Sequence, residues 1–261
     1  MPEIRLDGIG KIYQSAGRQV AAVGRVDLSI ADGEFVTLVG PSGCGKSTLL
    51  NMIAGFLPPS AGSIRVDGTE VAGTIPAQLG YIFQKDTVLP WYTVRRNIGL
   101  GLRFRGRRRS EIDGRVDDLL RLGKLEGFGD AYPHQLSGGM RRRVALLMSL
   151  ACDPRILLLD EPFGALDTHT KTVLHQELIR IWRSLGQTIV MVTHDLDEAI
   201  TLSDRVVVLS GPPSRVILDE RIDIAHPRDV YSLRESEAFA QAYGRIWHVL
   251  GQEFASVEAT G

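Results

Sequence analysis

The chain predicts an α/β fold: a parallel sheet with helices on both faces, an antiparallel β part near the N-terminus, and a helical segment inserted between them. Three observations carry this. Residues 156–159, Thr188–Val192 and Arg205–Leu209 are continuous apolar runs, the pattern of parallel strands buried on both faces. A long helical stretch over about 171–185 separates the first two, and such alternation implies right-handed crossovers within one sheet. Between about residues 85 and 152 the β runs nearly vanish and helical spacing takes over, as in Val116-Asp117-Asp118-Leu119-Leu120-Arg121-Leu122.

In chain order, residues 3–9, 25–30, Phe35–Val39, 63–66 and 80–83 read as strands separated by glycine-bearing turns. A packed helix over 46–54 follows the third. The tail after about Ile222 reads as one or two short helices without a further domain. The expected organisation is one domain over 1–261. Within it, 1–84 and 153–222 form the α/β core, 85–152 a helical subdomain and 223–261 a helical tail.

The 30 Lys and Arg residues nearly balance the 31 Asp and Glu residues, which argues against a polyanionic partner such as nucleic acid. Only five of the cations are lysines. Two cysteines, Cys44 and Cys152, supply neither a disulfide framework nor metal-ligand spacing, which fits a reducing cytoplasm. The N-terminus, Met1-Pro2-Glu3-Ile4-Arg5-Leu6-Asp7, lacks the apolar centre of a signal peptide. No run reaches the roughly 18 apolar residues of a membrane span, so any membrane role is expected to come through a partner.

Gly40-Pro41-Ser42-Gly43-Cys44-Gly45-Lys46-Ser47-Thr48 fits the pattern of glycine, four residues, then Gly-Lys-Ser/Thr. Glycines let backbone N–H groups turn inward around phosphate oxygens. Lys46 is expected to reach the β- and γ-phosphates of a nucleoside triphosphate, and the Ser47 hydroxyl to ligate Mg²⁺. The following helix aims its positive end at the same anion. A strand before the loop and a helix after it make the core that of a P-loop NTPase. Cys44, beside Lys46 and near a helix N-terminus, is expected to be a reactive thiol of lowered pKa.

A second signal is Ile156-Leu157-Leu158-Leu159-Asp160-Glu161, an apolar strand that delivers two carboxylates at its end. Asp160 is expected to hold Mg²⁺ through water, and Glu161, pointing the other way, to polarise an attacking water. Leu136-Ser137-Gly138-Gly139-Met140 opens a helix with a good N-cap and a second anion nest. Arg141, Arg142 and Arg143 in its first turn oppose the helix dipole. They read either as a site where an anion docks or as a solvated basic turn. Val192-Thr193-His194-Asp195 puts a histidine past a buried strand, and Gln84 sits at another strand end, the edge where open α/β sheets bind ligands.

These residues together resemble the ATP-binding cassette subunit of ABC transporters, over about residues 3–220. The pieces occur in the family's order: phosphate loop, Gln84, signature Leu136 to Met140, Asp160-Glu161, Ala165-Leu166-Asp167, His194. The resemblance implies that Tyr13 stacks on adenine and that Gln84 contacts Mg²⁺ and signals to a transmembrane partner. It implies that Ser137, Gly138 and Gly139 bind the γ-phosphate of ATP held by a second copy, paired head to tail. Asp167 then bridges the copies, and His194 contacts the γ-phosphate and helps position the water. Met140 and Arg142 stand where the family usually has glutamine, and Met148 where arginine is usual.

Phe83-Gln84-Lys85-Asp86-Thr87-Val88-Leu89-Pro90-Trp91 is similar to importers of nitrate, sulfonates and taurine, a group that also includes importers of pyrimidine precursors. So are Thr93 to Ile98, Glu161 to Asp167 and Leu209 to Val216. The resemblance implies membrane permease subunits, a substrate-binding protein served indirectly, and a place on the cytoplasmic face of the inner membrane. A DNA-acting or ribosome-acting ATPase of the same family would need a long coiled coil or a second cassette, and an exporter motor remains a further alternative. Trp91 reads either as a core tryptophan or as a ring on the surface that meets the permease. The arginines at 103, 105, 107, 108 and 109 read as a solvated face, or as contacts to lipid headgroups or an acidic partner. Trp182 and Trp247 are expected to be core or half-buried, and Cys152 a small buried apolar residue.

Overall fold

The computed structural model describes residues 2–15, 18–71, 73–85, 87–164 and 166–258. Asp86 and Ala165, which form part of the family resemblance, and the last three residues of the tail lie outside them. The first half runs β1 (Pro2–Ser15), β2 (Arg18–Ala31), β3 (Phe35–Val39), α1 (Lys46–Ile53), β4 (Ala61–Val66), β5 (Thr69–Glu70), β6 (Leu79–Ile82), α2 (Val94–Ile98), α3 (Leu100–Phe104) and α4 (Arg109–Leu122). The second runs α5 (Gly138–Leu150), β7 (Ile156–Asp160), α6 (Thr168–Leu185), β8 (Thr188–Val192), α7 (Leu196–Leu202), β9 (Arg205–Leu209), β10 (Val216–Arg221) and α8 (Glu237–Glu258).

A four-stranded antiparallel sheet has the order β2-β1-β4-β5, and a six-stranded sheet the order β10-β9-β3-β8-β7-β6. In the larger sheet only β10 runs antiparallel, closing one edge against β9. Every residue of β3, β7 and β8 is buried. Side chains alternate across a strand, so each run feeds two cores. Ile156, Leu158, Val190 and Val192 pack with Leu49, Leu50 and Ile53 of α1. Leu157, Leu159, Ile189 and Met191 pack on the other face with Val144 of α5 and Leu174 and Leu178 of α6. Each such side chain contributes about 2 kcal/mol of burial, which accounts for runs with no polar alternation.

Strands β3, β8 and β9 match the predicted spans, and β7 extends one residue further, to Asp160. Helix α6 begins at Thr168 because the Asp167 side chain caps it, accepting from Thr170 N–H at 3.0 Å. Strand β10 has no counterpart in the prediction. Its positions alternate half-buried and exposed, as an edge strand's do. Helix α7 was missed too; only seven residues long, it depends on Asp195, whose carboxylate accepts from the N–H groups of Asp197 and Glu198 at 3.0 and 3.3 Å.

The tail differs from expectation. In place of short helices it forms the single 22-residue α8. Phe239, Ala242, Ile246 and Leu250 recur at helical spacing and pack on α7 and on Val206 and Val208 of β9. Trp182 is a core residue whose indole N–H donates to the Gln187 carbonyl at 2.8 Å. Trp247, by contrast, is exposed and stacks on Tyr243. Cys152 is half-buried.

Arg228 fastens the tail to the core. Its buried guanidinium donates to the carbonyls of Ile200 at 2.8 Å and Ser203 at 2.9 Å, where α7 ends, and of Ile224 at 2.9 Å, past β10. Burial pulls its pKa down to about 10, so it keeps its charge at neutral pH. Arg228→Met strips these carbonyls of their donors and is expected to cost about 3 kcal/mol, read as a lowered melting temperature.

Candidate functional site

The C-terminal ends of β3, β8, β7 and β6 lie side by side, and the phosphate loop, His194, Asp160 with Glu161, and Gln84 lie at or just past them. After β3, the backbone of residues 40–45 folds into a tight loop. A Cβ on Gly40 would stand 2.7 Å from the Leu209 carbonyl, so the loop passes β9 only with glycine there. Pro41, Cys44 and Lys46 are buried, while Ser42 and Gly43 are exposed at the tip. Gly45 is the N-cap of α1 and makes no side-chain cap, which leaves the first N–H groups of the helix uncapped. Lys46 Nζ donates to the carbonyls of Gly40 at 2.8 Å and Pro41 at 2.9 Å. Tyr13, exposed on β1, has its hydroxyl 3.4 Å from Thr48 Oγ1, within reach of the loop's far end.

The two carboxylates after β7 face different partners. Asp160 Oδ1 accepts from the Ser47 hydroxyl at 2.8 Å, and its other oxygen accepts from Tyr81 at 3.4 Å. Tyr81 also donates to Asn51 Oδ1 at 3.0 Å, tying β6 to α1. Burial pushes the Asp160 carboxyl above its usual range, and the Glu161 charge adds to this; Ser47 opposes both. Glu161 adopts φ 44°, left-handed backbone that residues with a Cβ seldom take. Its N–H donates to the Val192 carbonyl at 2.9 Å, which fixes it against β8. Its side chain accepts from Gln84 Nε2 at 2.8 Å through one oxygen, and His194 Nδ1 lies 3.3 Å from the other. The ends of three strands thus converge on one carboxylate.

The signature segment opens α5 as its sequence requires: Ser137 Oγ accepts from Met140 N–H at 3.2 Å. Gly138 and Gly139 approach the start of α6. A Cβ on Gly139 would lie 2.6 Å from the Thr170 methyl, so only glycine fits. Asp167, capping that helix, has its carboxyl held below the usual range by the Thr170 backbone N–H.

Two expectations are overturned. The arginines after the signature form neither an anion-docking turn nor a solvated one, because the chain itself supplies their acceptors. Arg141 donates to the Leu136 carbonyl at 2.8 Å, and Arg143 pairs with Glu177 at 2.8 Å. Arg142 donates to the Pro162 carbonyl, and to those of Phe83 at 3.1 Å and Glu161 at 3.4 Å. Cys44, second, is fully buried, and burial pushes its thiol pKa up despite the opposing pull of Lys46.

Sequence reasoning missed the layer behind His194. Glu198 of α7 is buried, pairs with Lys171 at 3.0 Å and accepts from Thr193 Oγ1 at 2.7 Å. It missed Asn97 as well. The Asn97 side chain, fully buried, accepts from Leu89 N–H at 2.8 Å and donates to the carbonyls of Leu89, Tyr92 and Thr93, each at 3.1 Å. The turn it ties carries Trp91, which is 66% exposed and hence not a core tryptophan. The arginine run divides: Arg105 donates to the carbonyls of Ala77 and Cys152 at 2.9 and 3.2 Å, whereas Arg103 and Arg107 line an open cavity of about 640 Å³ with Tyr92, Arg95 and Arg96.

Residues 23–164 match the profile of a family described as "ABC transporter". The chain belongs to that family. It is 43% identical over 96% of its length to an uncharacterized ABC transporter ATP-binding protein of Methanocaldococcus jannaschii, covering 92% of that protein. It is 44% identical to a taurine import ATP-binding protein of Rhizobium johnstonii over 90% of each chain. A nitrate import ATP-binding protein of Synechococcus elongatus is 41% identical over 96% of this chain and 38% of its own length. Among solved structures, a dimeric ATP-binding cassette in a post-hydrolysis state with ADP and Pi superimposes with a TM-score of 0.75 at 31% identity, over 85% of this chain and all of that one. The cassette binds ATP and couples its hydrolysis to transport. No helix among the described residues is long and apolar enough to cross a membrane.

The buried thiol yields a direct check. In the folded cassette Cys44 is expected to resist a bulky maleimide over minutes and to label fully once denatured, as read by peptide mass spectrometry.

Proposed function

We propose that the chain is the ATP-hydrolysing motor subunit of an importer for a small anion of the taurine, sulfonate or nitrate type. The observation that carries the reading is the convergence on Glu161: its carboxylate stands between Gln84 and His194, at the sheet edge that also bears the phosphate loop. Lys46, the loop N–H groups and the uncapped start of α1 bind the triphosphate, and Tyr13 stacks on adenine. Glu161 takes a proton from the attacking water, while His194 orients that water and the γ-phosphate.

The residues present fit Mg²⁺. Asp160 and Ser47 already bring a carboxylate and a hydroxyl together at 2.8 Å, and the carbonyl oxygen of the Gln84 amide has no partner among the described residues. That set of hard oxygen donors suits a small divalent cation. When bound, the ion neutralises charge on the β- and γ-phosphates.

Two copies pair head to tail, so that Ser137, Gly138 and Gly139 of each close on the ATP of the other, with Asp167 between them. The dimeric cassette structure at 31% identity supports this arrangement. Relatives named for taurine and nitrate import support the direction of transport and the anionic cargo. Residues 1–84 and 153–222 act as the nucleotide-binding core, 85–152 as the helical subdomain and 223–261 as the tail. The subunit lies on the cytoplasmic face of the inner membrane, held by permease subunits and served indirectly by a substrate-binding protein.

Glu161→Gln tests the mechanism: it is expected to retain ATP binding and to slow hydrolysis at least ~10²-fold, the usual contribution of a general base. With ATP present the variant should accumulate as a dimer on size exclusion. Wild-type turnover would show that the carboxylate is structural. The exposed Trp91, next in sequence to Tyr92 of a cavity whose Arg96, Arg103 and Arg107 have no ion-pair partner among the described residues, supports a permease contact there. Trp91→Ala is expected to leave the melting temperature and ATP affinity of the isolated subunit unchanged while weakening co-purification with the permease and abolishing uptake. A destabilised variant that still assembles would defeat that assignment.

A further inference from the structure

Arg142 joins the two segments that continue the paired strands β6 and β7 past their last shared register position, Ile82 with Leu159. Phe83 immediately precedes Gln84, and Pro162 immediately follows Glu161. One guanidinium, sent from the second turn of α5, donates to the carbonyls of Phe83, Glu161 and Pro162 together. The backbone flanking the Gln84 to Glu161 hydrogen bond is therefore held on both sides by a single planar group.

The chemistry of the side chain matters. Arginine presents five N–H donors in a rigid fork, and these three acceptors engage three different nitrogens of that fork. Glutamine, the residue usual here in the family resemblance, offers two N–H donors on one nitrogen and a shorter stem. Lysine offers a point charge. The need for a clamp is visible in Glu161 itself, whose φ of 44° is disfavoured for any residue with a Cβ and persists only where its surroundings over-determine it. Beyond the bond its N–H donates to Val192 and the Gly164 N–H on its carbonyl at 3.4 Å, the Arg142 donors on the Glu161 carbonyl and on the next one add to that determination. Because Arg142 belongs to the helix that begins with Ser137, Gly138 and Gly139, the signature segment and the hydrolytic carboxylate of one chain are mechanically connected.

We infer that Arg142 is a positioning residue for Glu161, holding its carboxylate in line with Gln84 through the backbone on either side. The inference rests on the reading of Glu161 as the general base. A movement of α5 then changes the aim of that carboxylate without any direct contact between the signature glycines and Glu161.

The test uses the full-length protein with Arg142→Gln and Arg142→Lys. For Arg142→Gln, kcat is expected to fall at least ~10-fold, with KM for ATP within about 2-fold of wild type and the melting temperature little changed, the pattern of a lost transition-state arrangement. Arg142→Lys should recover part of the rate, since one ammonium still reaches one or two of the carbonyls. The decisive measurement is single-turnover hydrolysis in the Glu161→Gln background. If Arg142 acts through Glu161, adding Arg142→Gln there slows hydrolysis no further. Additive slowing in the double variant would overturn the inference, as would wild-type kcat in Arg142→Gln, or KM, kcat and melting temperature worsening together in both single variants. Normal turnover of Glu161→Gln alone would defeat the general-base reading, a failure separate from any result at Arg142.

Discussion

Parallel pairing of β3, β8, β7 and β6 is the constraint from which the rest of the site follows. Four strands that run the same way must end at the same edge, and hydrogen-bonded register holds those ends level. The phosphate loop, His194, Glu161 and Gln84 therefore come together although they are spread across more than half the sequence. Apolar burial on both faces makes the register hard to slip, because a one-residue shift would exchange the two cores. The N-terminal sheet and α1 cover one face, and α5 and α6 the other. A substitution deep in β7 or β8 would thus act on chemistry it never touches.

Polar side chains then do what the sheet cannot, which is to fix loops. Arg142, Asn97 and Arg228 each collect several main-chain carbonyls. Irregular backbone carries acceptors that secondary structure does not use, and leaving them dry is costly. A multidentate donor satisfies them and at the same time removes conformational freedom. The Lys171, Glu198 and Thr193 group works similarly behind His194, with one buried carboxylate linking α6, β8 and α7.

Much of this was legible in the sequence for a physical reason. β3, β8 and β9 announce themselves because burial on both faces demands unbroken apolar runs, and the phosphate loop because only glycine passes so close to β9. Asp160 and Glu161 were legible as a strand end. What sequence could not supply was tertiary. Cys44 looked activated from its neighbours in the chain, yet its surroundings in space are apolar, and burial outweighs Lys46. The three arginines after the signature read as an anion site or a solvated turn because acceptors such as the Phe83 carbonyl, 59 positions from Arg142, and the Glu177 carboxylate lie far off in the sequence. Strand β10 alternates like any exposed segment, and the start of α8 rests on one serine cap, Ser236, whose hydroxyl accepts from Phe239 N–H at 3.2 Å and says nothing of how far the helix runs.

The amide of Asn97 has a consequence for association. A tryptophan on a loose loop must be frozen when a partner arrives, and the lost freedom subtracts from the affinity gained. Here the turn from Leu89 to Thr93 is already tied at four points by one buried side chain, so the ring of Trp91 is offered in a settled position. If the permease docks here as proposed, the encounter resembles the meeting of two rigid bodies. On that reading, a push delivered to Trp91 would pass into the Asn97 helix instead of being absorbed by slack in the loop.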